Sequence, residues 1–142
     1  MNEALKLYPK ITQLRVRYSE TDQMSYVYYG HYAQYFEIGR TEWVRALGLT
    51  YKSMEQDHSL MLPVYDLHIQ YHKPAVYDDL LEIHTWLTAE PGVKLQFAHQ
   101  IFNEKKECLV SGEVILVFID ASSRKPVRAP SFFLEALKSS DQ

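Results

Sequence analysis

Residues 17–47 read R-Y-S-E-T-D-Q-M-S-Y-V-Y-Y-G-H-Y-A-Q-Y-F-E-I-G-R-T-E-W-V-R-A-L and contain the longest and most apolar helical pattern in the chain. Apolar and aromatic residues recur every three or four positions over 30–47, which predicts a helix buried along one face. Gly48 is the expected C-terminal stop. Gly39 in mid-helix predicts a close approach to another backbone, because glycine has no side chain to hold the two apart.

The remainder of the chain is dominated by strand patterns that can cover this helix. One helix on one face of a largely antiparallel sheet is an α+β architecture, and a length of 142 residues predicts a single domain. The predicted elements are a leader over 1–9, strands over 11–18, 64–71, 80–90, 93–102 and 108–119, a short helix over 50–58, and a terminal helix over 131–138 followed by a tail to residue 142.

The predicted strands also carry apolar residues on the face turned away from the helix. One helix cannot cover both faces of a sheet, so we expect a second subunit to complete the core or the site. The residues concerned are Leu80, Trp86, Leu109, Ile115, Val117 and Ile119.

Composition excludes several classes of function. The net charge of −3 gives no electrostatic reason to bind nucleic acid, and no apolar segment is long enough to predict a membrane span. The single cysteine, Cys108, allows no internal disulfide, and the N-terminus does not read as a secretory signal. These features fit a cytoplasmic protein.

Asp22 is the candidate catalytic group of the quoted stretch. A turn aspartate usually hydrogen-bonds only its own loop. Here, however, the residues that follow it over 24–29 are apolar and aromatic, and they lead directly into the predicted helix. The first N–H groups of a helix can bind an anionic oxygen, so a carboxylate beside them can act as a general base or nucleophile.

The motifs R-Y-S-E-T-D-Q-M-S-Y-V-Y-Y-G-H-Y, F-E-I-G-R-T-E-W, L-P-V and Y-H-K-P-A-V-Y-D-D-L-L-E-I together resemble the hotdog-fold acyl-CoA thioesterases. The branch typified by 4-hydroxybenzoyl-CoA thioesterase and the Tol–Pal-associated bacterial thioesterases is the most similar. The resemblance covers about residues 11–129. It implies a curved antiparallel sheet wrapped around one helix, a homodimer or homotetramer, and hydrolysis of an acyl-CoA substrate without a cofactor or metal.

The resemblance also assigns catalytic roles to two positions. The carboxylate of the family's T-D-x-x-G segment falls on Asp22, and the backbone N–H that polarises the thioester carbonyl falls on Tyr29. Three positions depart from the pattern: Ser25 replaces a glycine, Tyr29 replaces a common histidine, and His31 replaces an asparagine. The side chain of His31 is therefore expected either to assist in acid–base chemistry or only to cap the helix.

Six positions are the candidates for substrate binding. Tyr26 and Tyr28 are expected in an acyl pocket that the 60–64 segment of a partner subunit completes, and basic residues near Lys94 meet the CoA phosphates in the resembling family. No metal site is expected, since His68 and His72 are about 13 Å apart on a strand. The candidate substrate-binding residues are Tyr26, Tyr28, Gly30, His31, Leu62 and Lys94.

Two other functions compete with hydrolysis. A non-catalytic module that holds acyl-CoA or an acyl carrier protein is suggested by the changes at Ser25 and Tyr29. A hydroxyacyl dehydratase ranks lower, because its H-x-x-x-x-G spacing is missing from the start of the helix, which reads G-H-Y-A-Q-Y-F-E.

Overall fold

A five-stranded antiparallel sheet lies against one long helix in the computed structural model, which describes residues 5–140. The strand order is β1-β4-β5-β6-β3, and β2 pairs with β7 in a separate two-stranded sheet. The elements are β1 Leu7–Arg15, α1 His31–Ala46, α2 Tyr51–His58, β2 Leu60–Met61, β3 Val64–Tyr71, β4 Leu80–Leu87, β5 Lys94–Phe102, β6 Cys108–Val117, β7 Ile119–Asp120 and α3 Ser131–Ser140.

The core lies between α1 and the concave face of the sheet. Tyr35, Phe36 and Trp43 are fully buried on one side of α1. Trp43 meets Phe97 of β5 edge to face, with ring centroids 4.9 Å apart. The sheet contributes buried side chains from β5 and β6 to this core, namely Leu95, Phe97, Ile101, Val110, Val114 and Leu116. The α+β prediction is therefore confirmed.

Several predicted boundaries are wrong, above all at the N-terminus. The expected leader over 1–9 includes the first residues of β1, which begins at Leu7 and ends at Arg15; the part over 1–4 lies outside the described residues, as do residues 141–142 of the predicted tail. Pro9 is tolerated because β1 is an edge strand with an irregular register there. The indole N–H of Trp43 donates to the Tyr8 carbonyl at 2.8 Å, which fixes this segment to α1.

The ends of the central strands also differ from the predicted ones. The strand predicted over 80–90 ends at Leu87, and the strand predicted over 108–119 ends at Val117 before the separate β7. The terminal helix continues to Ser140. The helix predicted over 30–47 is α1, one residue shorter at each end.

The outer face of the sheet is better covered within the chain than the alternating pattern suggested. Trp86 is 8% exposed under the ammonium group of Lys6, and Leu109 is buried. Four large exposed apolar side chains share the edge strand β3, namely Val64, Tyr65, Leu67 and Tyr71. A second subunit would therefore cover this edge and not the outer face of the sheet.

A buried histidine lies where α1 is closest to the sheet. The ring of His99 stacks on Phe36, and its Nδ1 lies 3.0 Å from the hydroxyl of Thr85. Burial, together with the positive charge of Arg40, lowers the pKa of His99 from 6.5 to about 3. The imidazole is therefore neutral at physiological pH and forms part of the packed core.

No helix among residues 5–140 has the length and apolar character needed to cross a membrane.

The close approach predicted at Gly39 is confirmed, but side chains rather than backbone meet the helix. A Cβ atom at Gly39 would lie 2.7 Å from the Thr85 hydroxyl and 2.8 Å from the Ile83 methyl group. We expect Gly39→Ala to lower the free energy of unfolding by about 1–3 kcal/mol, because α1 would be pushed off the sheet. Urea unfolding measures this. Gly92→Ala is the control, since its new methyl group meets open space; equal stability of wild type and Gly39→Ala would contradict the packing argument.

Candidate active site

The loop that carries Asp22 is fixed to α1 by the buried carboxylate of Glu20. One oxygen of Glu20 accepts the Arg17 N–H at 2.8 Å and the Tyr35 hydroxyl at 3.0 Å. Burial acts to raise the pKa of Glu20, but the hydrogen bonds from Arg17 and Tyr35 outweigh it and hold the pKa below its usual value. An ionised, hydrogen-bonded carboxylate therefore ties the end of β1 to the middle of the buried helix.

The same loop is folded back on itself between Thr21 and Val27, which form a β-bridge. The Asp22 N–H donates to the Tyr26 carbonyl at 2.8 Å, and the Ser25 N–H donates to the Asp22 carbonyl at 3.0 Å. These bonds form a tight turn with Asp22 at its start. The Tyr28 N–H donates to the Glu20 carbonyl at 2.9 Å and so connects the turn to the anchored segment.

The side chain of Asp22 is held by one of its two oxygens. Oδ1 accepts the N–H groups of Met24 at 2.9 Å and Tyr26 at 3.3 Å, an arrangement common in aspartate turns. Oδ2 has no hydrogen-bond donor or cation in contact among residues 5–140. The turn thus orients the carboxylate while leaving one oxygen able to act on a bound molecule.

Ser25 takes the backbone conformation that the missing glycine would supply. Its φ angle is +67°. The turn after Asp22 is therefore kept despite the substitution, at the steric cost of a Cβ atom in the left-handed region.

Two backbone N–H groups at the start of α1 have no acceptor within residues 5–140, those of Tyr29 and Gly30. The next two, of His31 and Tyr32, donate to the carbonyls of Tyr28 and Tyr29. Gly30 occupies the N-cap position, and no side chain caps the helix. The free N–H groups and the helix dipole together favour an anionic oxygen at this point.

The turn and the helix start face a single pocket of about 340 Å³. Asp22, Tyr26 and Tyr29 line it, as the sequence analysis predicts for an active site. Most of its remaining wall is aromatic or apolar, which suits an organic group bound beside a carboxylate. The other lining residues are Val27, Tyr32, Tyr71, His72, Lys73 and Pro74.

Two further predicted residues are neighbours of this pocket without lining it. The ring of Tyr28 packs against Tyr29, with centroids 4.6 Å apart, and lies over Gly30, where a Cβ atom would come within 2.8 Å of it. The His31 Nδ1 lies 2.9 Å from the amide oxygen of Gln34, one helical turn ahead. His31 is therefore engaged with α1 and does not cap the helix.

Leu62 and Lys94 lie elsewhere in the chain. Leu62 lines a different pocket, together with Arg40 and Tyr51. The Lys94 ammonium group lies over the ring of Tyr65, 5.3 Å from its centroid, at the first residue of β5. The structure of one chain does not bring either residue to Asp22.

Sequence reasoning missed the wall contributed by the end of β3. Tyr71 packs against both Tyr29 and Tyr32, with centroids 6.4 Å and 5.6 Å away. His72 and Lys73 follow it in the pocket wall, and Lys73 forms an ion pair with Glu107. The sequence predicts the strand over 64–71, but no sequence signal shows that the end of this strand meets the start of α1.

Within the described residues 5–140, no three His, Cys, Asp or Glu side chains are grouped in a way that could hold a metal ion.

The sequence of the chain is similar to a family of known proteins. The model of the thioesterase-like superfamily matches residues 16–137. A putative acyl-CoA thioesterase, YneP, of Bacillus subtilis is 34% identical over 82% of this chain and 83% of its own length. The acyl-CoA thioester hydrolase YbgC of Escherichia coli is 30% identical over 97% of this chain and 99% of its own length.

A solved structure is similar to this chain in both fold and sequence. The DHNA-CoA thioesterase of Staphylococcus aureus superimposes with a TM-score of 0.85 at 32% identity, covering 94% of this chain and 91% of its own. The hotdog fold expected from the sequence is confirmed.

The positive φ of Ser25 predicts a gain in stability from a single substitution. We expect Ser25→Gly to raise the free energy of unfolding by about 1 kcal/mol, because glycine removes the steric cost of the left-handed conformation. Urea unfolding at one pH measures the difference. Ser19→Gly, in the same loop but at a negative φ, should destabilise the protein instead; a loss of stability in both variants would contradict the turn described here.

Proposed function

The chain belongs to the thioesterase-like superfamily, and we propose that it hydrolyses an acyl-CoA thioester to the free acid and CoA. The names of its relatives YneP and YbgC support this activity. One observation carries the assignment of the site: Asp22, which has a free carboxylate oxygen, and Tyr29, which has an unpaired N–H, line the same pocket.

The proposed chemistry begins at the start of α1. The thioester carbonyl oxygen accepts the N–H of Tyr29, with Gly30 as a second donor, and develops negative charge there as the carbonyl carbon is attacked. One such donor typically lowers the barrier by about 3 kcal/mol. The positive end of the helix dipole acts in the same direction.

Asp22 supplies the attacking electrons through Oδ2. In one route Oδ2 takes a proton from water, and the resulting hydroxide adds to the carbonyl carbon. The C–S bond then breaks, and the departing CoA thiolate takes the proton from Oδ2. In the other, Oδ2 adds directly, CoA leaves, and water hydrolyses the mixed anhydride to free acid and Asp22. Both routes use the same oxygen, which the turn leaves unpaired.

The aromatic wall of the pocket supports an acyl group with substantial apolar surface. Tyr26, Tyr32 and Tyr71 line the space next to Asp22. The ring of Tyr28 packs against the ring of Tyr29, whose backbone N–H is the proposed donor.

We further propose that two copies pair through β3. This strand ends the sheet, so one of its edges has no partner strand among residues 5–140. It carries exposed Leu67 and Tyr71 and no proline, whereas the other edge strand, β1, contains Pro9. Such an edge favours antiparallel pairing with an identical strand about a two-fold axis. Association of two dimers into a tetramer stays a prediction from the resemblance.

Pairing of this kind accounts for the two predicted residues that lie away from Asp22. Val64 and Tyr71 are the two ends of β3. Antiparallel pairing about its middle places the Val64 end of one copy beside the Tyr71 end of the other. Leu62 of the second copy then reaches the acyl group, and its Lys94, held over Tyr65, is the proposed contact for the CoA phosphates.

We propose the cytoplasm as the location of the enzyme. The thiol of Cys108 is half-buried and free, and free thiols are usual in the reducing environment of the cytoplasm.

The edge pairing predicts a specific change in assembly. We expect wild type to sediment as a dimer or a multiple of it, and Leu67→Lys to shift it toward the monomer, because a charged side chain at the middle of a paired edge is desolvated without a partner. Sedimentation velocity measures this. Ile11→Lys, an exposed apolar residue on the other edge strand, is the matched control; dissociation by Ile11→Lys alone would refute pairing through β3.

The catalytic role of Asp22 is tested by Asp22→Asn. Asparagine keeps an oxygen for the N–H groups of Met24 and Tyr26 but removes the charge and basicity, so we expect kcat to fall about 100-fold or more with the fold intact. Thiol release from a panel of short, long and aryl acyl-CoAs measures the rate, with Asp57→Asn on the exposed face of α2 as control.

Each other outcome of this experiment has a definite meaning. Full activity of Asp22→Asn would remove Asp22 from the mechanism. Binding of acyl-CoA by wild type without release of thiol would favour the non-catalytic binding module over the enzyme.

A further inference from the structure

Arg40 is a buried cation in the middle of α1. The residue is 6% exposed. None of the ion pairs formed among residues 5–140 includes its guanidinium group. The hydroxyl of Tyr51 is its hydrogen-bond partner, and the carboxylate of Glu37 attracts it from a greater distance. Burial lowers the pKa of Arg40, and these two neighbours only partly offset the effect.

One hydroxyl cannot satisfy a guanidinium group. Arginine carries five N–H donors in a planar fork that matches a carboxylate. A buried cation without an anionic partner is costly, and such groups are normally paired. No nitrogen of Arg40 is both fully buried and unpaired, but no carboxylate of residues 5–140 is in ion-pair contact with the group. An anionic oxygen from outside the chain can therefore still bind it.

Arg40 also lines a pocket that can hold such a group. The pocket has a volume of about 290 Å³ and shares no residue with the one that contains Asp22. Its walls combine aliphatic side chains with the Arg40 cation and the Glu37 carboxylate, so an apolar chain can enter it and an anionic end binds on the side of Arg40. The lining residues are Glu37, Arg40, Thr41, Tyr51, Leu62, Val64 and Leu116.

In the proposed dimer, the Arg40 pocket of one copy lies close to the Asp22 pocket of the other. Tyr71 lines the Asp22 pocket and Val64 lines the Arg40 pocket, at opposite ends of β3. Seven steps along a strand span about 23 Å, too far for one acyl group within a chain. Antiparallel pairing of two copies of β3 brings the Arg40 pocket of one copy beside the Asp22 pocket of the other.

We infer that Arg40 of the second copy binds a terminal carboxylate on the acyl group, so that the preferred substrates are CoA thioesters of dicarboxylic acids. The thioester carbonyl lies at the N–H of Tyr29 in one copy, and the acyl chain runs across the paired strands. Its free carboxylate forms a bidentate ion pair with Arg40. This inference rests on the proposed thioesterase activity and on the proposed pairing through β3.

The test compares substrates that differ only at the far end of the chain. Matched pairs are glutaryl-CoA with pentanoyl-CoA, adipyl-CoA with hexanoyl-CoA, and suberyl-CoA with octanoyl-CoA. We expect kcat/KM to be at least tenfold higher for the carboxylated member of at least one pair. Arg40→Met should bring that ratio close to one, and Arg40→Lys should give an intermediate ratio, because lysine keeps the charge but not the fork.

The control variant is Arg45→Met, on the exposed part of the same helix, where the arginine pairs with Glu42. It should keep the wild-type ratio. Thermal unfolding checks that Arg40→Met is folded, which we expect because an apolar residue in place of a buried cation is often neutral or stabilising.

A binding measurement separates this inference from the proposed activity. Titration calorimetry of the Asp22→Asn protein with the same pairs does not depend on turnover, and we expect tighter binding of the carboxylated member, lost in Asp22→Asn/Arg40→Met. If wild type hydrolyses acyl-CoAs but neither rate nor affinity distinguishes the members of any pair, the inference about Arg40 is overturned and the enzyme stands. If no thioester is hydrolysed but the carboxylated member still binds through Arg40, the proposed activity fails alone.

Discussion

The carboxylate of Glu20 is the constraint on which the candidate site depends. It is buried, ionised and bonded to both Arg17 and Tyr35, so it joins the loop after β1 to the central helix. The backbone carbonyl of Glu20 also accepts the N–H of Tyr28, the residue that precedes Tyr29 with its free N–H. The carboxylate of Asp22 and the start of α1 are thus positioned by the same short segment. A substitution that breaks the contacts of Glu20 is therefore expected to displace both Asp22 and the N–H groups at the start of α1.

The central helix can serve this purpose because it is packed without freedom to shift. Gly39 meets Thr85 and Ile83 of β4, and Phe36 stacks on the neutral ring of His99. Gly112 of β6 leaves room for the same Phe36 ring, since a Cβ atom there would lie 2.5 Å from it. The sheet therefore fixes the depth and rotation of α1. The backbone N–H groups at the start of α1 are therefore also fixed in position, as oxyanion stabilisation requires.

A single chain holds only part of what the sequence assigned to the site. The pocket with Asp22 is open, while Leu62 and Lys94 lie toward the other end of β3. A two-fold axis through an antiparallel pair of edge strands relates opposite strand ends, which is why residues far apart in one chain can meet across two. The proposed pairing is also what gives the buried charge of Arg40 its proposed role, since the carboxylate it would bind belongs to a substrate held by the other copy.

The sequence by itself determined the main elements, because their signals are local. Apolar spacing marked α1 to within a residue at each end, and alternation marked β3 correctly from Val64 to Tyr71. The motifs around Asp22 identified the family and the helix start that faces it. Local patterns do not show which elements meet, so only the tertiary structure revealed that Tyr71 and Lys73 line the Asp22 pocket and that Glu20 is buried beneath it. The positive φ of Ser25 and the surroundings of Arg40 could not be predicted from the sequence either. The first follows from the closure of a turn and the second from contacts between segments distant in sequence, and neither produces a periodic pattern of residues.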